Sequence, residues 1–86
     1  MQTTHSKFIL YGTEGCHLCD EARDLLDLVL SHQGKPIDYP YIDIADDDQL
    51  LELYGESIPV IKMIQSSKEI GWPFDYIKLI EFLNNP

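Results

Sequence analysis

The sequence predicts an α/β domain with the element order βαβαββα, a four-stranded mixed sheet with helices on its faces. Three observations carry this expectation. Short apolar runs rich in β-formers alternate with segments whose apolar residues recur at helical spacing. The first strand, the first helix and the second strand follow one another at lengths that suit a right-handed parallel crossover. The last two strands are separated only by the turn-sized QSSK, which suits an antiparallel hairpin.

Each element has its own signal. Lys7 to Tyr11, KFILY, is an unbroken apolar run ended by Gly12, the pattern of a strand covered on both faces. After the loop GTEG, residues Leu18, Ala22, Leu25, Leu26, Val29 and Leu30 form a helical stripe, opposed by Asp20, Glu21, Arg23, Asp24 and Asp27. Gly34 and Pro36 stop this helix. Asp38 to Ile44 reads as the second strand, with Pro40 at its start or edge. In ADDDQLLELYG the run Asp46–Asp48 sits where a helix N-terminus favours negative charge. Leu50, Leu51 and Tyr54 are expected to face inward, with Gly55 at C′. Pro59 to Ile64 is the third strand and Glu69 to Trp72 the fourth. Pro73 suits the first position of a last helix, whose expected stripe is Phe74, Ile77, Ile80 and Leu83.

Composition narrows the function classes. The chain has 86 residues, enough for one domain, and 44% of them are hydrophobic, as in globular proteins rather than disordered ones. No run approaches the roughly 18 apolar residues of a membrane helix. The N-terminus has no basic start followed by a long apolar stretch, so the expectation is a cytoplasmic protein with no membrane partner. A net charge of −9 repels phosphate backbones and argues against nucleic acid. The same charge serves solubility, or a field that favours basic partner proteins. Two cysteines are too few for a disulfide scaffold.

Those two cysteines, Cys16 and Cys19, stand in TEGCHLCDEA at the junction of the first strand and the first helix. The spacing alone allows a redox pair, half of a metal site, or two buried thiols. Tetrahedral zinc needs four ligands, and the other donors would be His5, His17, His32 or carboxylates, with no second C-x-x-C and no H-x-x-x-H. The strand–loop–helix context favours the redox reading. The first N–H groups of a helix lack helical acceptors and carry partial positive charge, so they stabilise a thiolate at Cys16. Cys19, about one turn further, is expected to be more buried and less acidic. Cys16 would attack a disulfide and Cys19 would then resolve the mixed disulfide. His17 can donate to the Cys16 thiolate, or stand positive beside it, and so favour its leaving. Glu14, Asp20 and Glu21 act the other way.

The segment FILYGTEGCHLCDEARDLL resembles the strand, C-x-x-C loop and first helix of glutaredoxins, within the thioredoxin fold. ESIPVI resembles the loop in which that fold carries a cis-proline beside its active site. The resemblance runs from Lys7 to Leu83. The C-H-L-C loop and the stretch W-P-F-D resemble a set of small bacterial glutaredoxin-like proteins. The resemblance implies a monomeric thiol–disulfide oxidoreductase acting on protein or small-molecule disulfides. It implies no tightly bound cofactor and no metal, with glutathione as a candidate co-substrate. It also implies a cis Ile58–Pro59 bond that exposes the Ile58 backbone to a substrate opposite Cys16.

The chain departs from glutathione-binding glutaredoxins at three places. Thr13 stands where they carry Lys, and His17 and Leu18 fill a motif interior that usually holds Tyr or Phe. IGWPFD, with the single Gly71, stands where they carry Gly-Gly followed by Asp. Asp75 is still placed to open the last helix and meet an ammonium group. Thr13, Ile58, Pro59 and Asp75 are thus the expected substrate-binding residues, and the glutathione site they make is incomplete. Two other readings stay open: an iron–sulfur or metal-binding module with Cys16 at a subunit junction, and a redox-inert adaptor that uses the Trp72–Phe74 surface.

Overall fold

The computed structural model describes residues Ser6–Asn85. Strand β1 (Phe8–Gly12) leads into helix α1 (His17–His32), followed by β2 (Tyr41–Asp43), one 3-10 turn (Ile44–Asp46) and α2 (Asp48–Tyr54). Strands β3 (Val60–Met63) and β4 (Glu69–Gly71) come next, then helix α3 (Tyr76–Asn84). The four strands form one mixed sheet in the order β2-β1-β3-β4. β1 and β2 are parallel, with Leu10 opposite Tyr41. β3 runs antiparallel to both of its neighbours, with Tyr11 opposite Val60 and Val60 opposite Gly71. This is the expected α/β architecture, a four-stranded thioredoxin-like sheet flanked by helices.

The pleat of β1 explains why its run is apolar throughout, since successive side chains point to opposite faces. Phe8 and Leu10 join Ile61 and Met63 under α1 and α3, against Ala22, Leu26, Val29, Leu30 and Leu79. On the other face Tyr11 and Val60 pack with Ile44 and Tyr54 on the α2 side. Each leucine or isoleucine fully withdrawn from water there contributes roughly 1.5–3 kcal/mol. α1 stops at His32, with Gln33 as its C-cap. Gly34 takes a left-handed φ of 68°, and the Lys35 N–H turns back to the Leu30 carbonyl at 2.9 Å.

Several boundaries differ from the sequence expectation. β2 covers only Tyr41–Asp43, because the Asp43 carboxylate accepts from the Ala45 N–H and bends the chain into the 3-10 turn. Asp47 rather than the whole aspartate run caps α2, accepting from the N–H groups of Gln49 and Leu50. Leu51 points to solvent, and Gly55 keeps helical angles instead of adopting a left-handed C′ conformation. Pro73 does not open the last helix. The Trp72–Pro73 bond is cis, Asp75 is the N-cap, and α3 begins at Tyr76. The helical stripe moves accordingly: Phe74 is buried ahead of the helix, Ile77 is 62% exposed, and Leu79 is fully buried. In α1, Leu18 leaves the stripe and faces solvent, and Cys19 takes the inward place.

Candidate active site

The sheet order brings four connections to one end of the molecule. β1 and β2 finish there, β3 starts there, and β4 finishes there beside it. Thr13–Cys16, the 3-10 turn after Asp43, Ile58–Pro59 and Trp72–Asp75 therefore share that end, and α1 starts from it.

Cys16 is the N-cap of α1. Its backbone is extended, its carbonyl accepts from the Asp20 N–H at 3.1 Å, and its Sγ accepts from the Cys19 N–H at 3.2 Å. The two sulfurs are paired as a disulfide, with Cα atoms 5.2 Å apart, inside the span a disulfide requires. Cys16 is half-buried and Cys19 has no exposed surface. Accessibility and helix-end electrostatics thus both fall on Cys16. The N–H that meets the sulfur in the disulfide would also meet a thiolate after reduction, and a charge-assisted hydrogen bond of that kind favours the anion.

The loop between β1 and α1 is held from across the sheet. The Thr13 hydroxyl donates to Asp43 Oδ1 at 2.8 Å, the Glu14 N–H donates to Asp43 Oδ2, and the Ala45 N–H donates to Oδ1 at 2.9 Å. The Ala45 and Thr13 hydrogen bonds, in that order, hold the Asp43 carboxyl below its ordinary pKa, with a weaker contribution from Glu14. The Tyr41 hydroxyl donates to the Thr13 carbonyl at 3.2 Å, and the Arg23 guanidinium lies over the Tyr41 ring, 4.5 Å from its centroid. Burial raises the Tyr41 pKa against the opposing pull of Arg23. Gly12 lies beneath this arrangement. A Cβ there would stand 2.6 Å from the Tyr41 hydroxyl and 3.1 Å from Cys19 Sγ, so the close approach of phenol and buried sulfur depends on glycine.

The other expected residues fall at the same end, in differing roles. The Ile58–Pro59 bond is cis, Pro59 is buried, and its carbonyl accepts from the Trp72 N–H at 3.1 Å, which joins the third and fourth connections. Asp75 caps α3 by accepting from the Lys78 N–H at 2.8 Å. His17 is turned down the helix, its Nε2 at 2.9 Å from Glu21 Oε2 and its side chain 86% exposed. In the disulfide state its partner is therefore Glu21 rather than Cys16. Thr13 spends its hydroxyl on Asp43, so its visible part is positional. Trp72 and Phe74 meet edge to face at 5.0 Å, with Phe74 buried, and close the core at this end. His5 lies outside the described residues. Among the described residues no group of three or more His, Cys, Asp or Glu is placed to hold a metal ion.

Sequence reasoning missed Gly12, Tyr41 and Asp43. Gly12 carried a usable signal, a glycine ending a strand just before a C-x-x-C loop. Asp43 carried none, because its partner Thr13 is 30 residues away along the chain.

The model of one family, described as glutaredoxin-like domain (DUF836), matches residues 7–84. No curated protein matches the chain. Among solved structures, the chain is similar to the structural genomics target protein XcR50 from X. campestris, at 30% identity and a TM-score of 0.78. That match covers 92% of this chain and 97% of the other in the X-ray structure, and 94% and 96% in the solution structure. It is also similar to the protein Ne2328 from Nitrosomonas europaea, at 26% identity and a TM-score of 0.71, over 95% and 98% of the two chains.

Proposed function

The chain belongs to the glutaredoxin-like domain family, and from that premise we propose that it is a thiol–disulfide oxidoreductase. One observation carries the reading: an accessible cysteine caps α1 and receives a helix N–H, while a fully buried cysteine one turn later is paired with it. In the reduced protein the Cys16 thiolate attacks one sulfur of a substrate disulfide. The S–S bond of the substrate breaks, one substrate thiolate leaves and is protonated, and a mixed disulfide forms at Cys16. Cys19 then loses its proton and attacks Cys16 Sγ. This restores the Cys16–Cys19 bond and releases the second substrate thiol, so two electrons pass from the protein to the substrate. The substrates proposed are protein or small-molecule disulfides, with glutathione a candidate co-substrate. The proposed setting is a monomer in the cytoplasm, and among the described residues no helix is long and apolar enough to cross a membrane.

Cysteine variants test this directly. Replacing Cys16 with Ser is expected to abolish exchange with a disulfide substrate, and Cys19→Ser to accumulate a mixed disulfide visible as an added mass. Full activity in both variants would end this reading. Equilibration of the wild-type protein across glutathione redox buffers, followed by acid quenching and thiol counting, is expected to show one reversible two-electron transition. Dithiol pairs of this spacing titrate between roughly −270 and −120 mV.

A further inference from the structure

We propose that this dithiol acts on disulfides carried in basic, apolar-flanked protein segments, in preference to acidic or glutathione-like ones. The inference rests on the redox reading above and concerns which substrate reaches Cys16.

The charges of the molecule are unevenly spread along the strand direction. Three of its cations lie at the end remote from the cysteines: Lys7 ahead of β1, Lys35 beyond α1, and Lys68 in the turn between β3 and β4. The connections that frame Cys16, residues 13–16, 44–47, 55–59 and 72–75, contain no lysine or arginine. They and the first turns of the helices they open carry Glu14, Asp20, Glu21, the run Asp46–Asp48, Glu56 and Asp75, all exposed. Two cations lie near this end: Arg23, held over the Tyr41 ring, and Lys78, exposed in the first turn of α3; the His17 ring, also here, is held on Glu21. The redox pair is the site, and the surrounding charge selects what arrives there.

The second observation is apolar. Leu18, inside the motif and next to the buried Cys19, is 44% exposed instead of packed in the α1 stripe. Ile58 and Trp72 are half-buried at the same end, Ile58 on the α2 side of the sheet and Trp72 on the α1 and α3 side, with the Trp72 N–H tied to the Pro59 carbonyl between them. An exposed leucine inside the motif, at an end that also carries these partly exposed apolar residues and a surplus of negative charge, matches a chain segment that offers apolar side chains beside its cysteine and lysine or arginine around them. A small anion such as glutathione meets repulsion here, and Thr13 supplies no cation to offset it.

Fields of this kind change encounter rates by about 10- to 1000-fold at low salt and fade when the Debye length falls to a few ångströms. The test uses three disulfide-linked peptide homodimers of equal length. Each has a leucine next to its cysteine, with flanks of lysine, serine or glutamate. Protein pre-reduced with dithiothreitol and freed of it is mixed with each peptide, and released thiol is followed by quenched flow. Dithiothreitol alone with the same peptides gives the reference rates, which removes the intrinsic effect of flanking charge on the peptide thiol. The expected result is a lysine-to-glutamate rate ratio at least about tenfold above the reference at low ionic strength, collapsing toward it near about 0.5 M salt. Combined Glu14→Lys and Glu56→Lys replacement is expected to lower that ratio. Any change these variants cause in Cys16 reactivity moves all three peptides together and cancels. A ratio equal to the reference at both salts overturns the proposal and leaves the oxidoreductase reading intact. If no peptide is reduced although the protein forms its disulfide in redox buffer, the proposal also falls alone. If no disulfide forms at all, both fall.

Discussion

Replacing Gly12 with Ala probes the contact between the cysteine pair and its support. The new Cβ would stand 2.6 Å from the Tyr41 hydroxyl, 3.0 Å from a carbon of the same ring and 3.1 Å from Cys19 Sγ. The hydroxyl must retreat by about 0.8 Å to reach an ordinary 3.4 Å contact. Cys19 has no exposed surface and cannot swing aside to absorb the change. Overpacking of this kind costs about 1–3 kcal/mol. Alanine regains roughly 0.5–1 kcal/mol over glycine in a strand, which leaves a net loss of about 0.5–2 kcal/mol. A second substitution makes the reasoning specific. Tyr41→Phe deletes the nearest atom and with it the hydrogen bond to the Thr13 carbonyl, at a cost of about 0.5–1.5 kcal/mol. In that background Gly12→Ala should cost less than half as much as in the parent. The assay is urea unfolding of the oxidised proteins, followed by Trp72 fluorescence and linear extrapolation, arranged as a double-mutant cycle. Additive losses, or a Gly12→Ala protein as stable as the parent, would refute the proposed clash.

Three further outcomes are expected. Asp75→Ala removes the side chain that accepts from the Lys78 N–H, and should lower unfolding free energy by about 1 kcal/mol in the same urea assay, with Asp75→Asn retaining most of it. Tyr54 hydrogen-bonds Glu69 and is packed against the Tyr11 ring at 4.7 Å; burial first and Glu69 second push its pKa up to about 12. Its raised folded-state pKa means its contribution is complete below pH 10 and lost as pH rises toward about 12. An ultraviolet tyrosinate titration should show a late-ionising phenol that Tyr54→Phe abolishes, together with loss of stability across that window. Asp43 titrates in the opposite sense. Its carboxyl is held below the ordinary 3.8, so its contribution is present above that value and fades as pH falls further. Asp43→Asn should flatten the acid limb of the stability curve and speed amide hydrogen exchange at Glu14 and Ala45.

Element type was legible because periodicity reports burial directly. KFILY is apolar throughout since both faces of β1 are covered, and α1 shows its stripe since one face is. Boundaries were less legible, and α3 shows why. Pro73 and Asp75 are both credible openings of a helix. The choice between them is made by Phe74, whose ring is buried against Trp72 and so cannot lie on the regular face of a helix starting at Pro73. That is a tertiary preference, and no local pattern contains it. Leu51 and Leu18 fail in the same way: each has helical spacing to its neighbours, but the sheet beneath is too narrow to cover every apolar residue of a helix.

The site divides along the same line. The placement of Cys16 and Cys19 was legible because it follows from three local facts: a strand end, a loop and a helix start. The support beneath them was not. Thr13 was read as a substrate contact because it occupies the place of a substrate-binding lysine, but its hydroxyl is bound to Asp43 and the same carboxylate also bends β2 into its 3-10 turn. One side chain therefore fixes the loops that end β1 and β2 together. This coupling has a functional consequence. A lysine at position 13 would point its charge at a carboxylate that keeps the Ala45 and Glu14 N–H groups as donors and pairs with the ammonium in place of the Thr13 hydroxyl. It could serve a substrate anion only by giving up that ion pair. Restoring the lysine by Thr13→Lys should therefore weaken the support of the Cys16 loop without creating an anion site, unless Asp43 is neutralised as well.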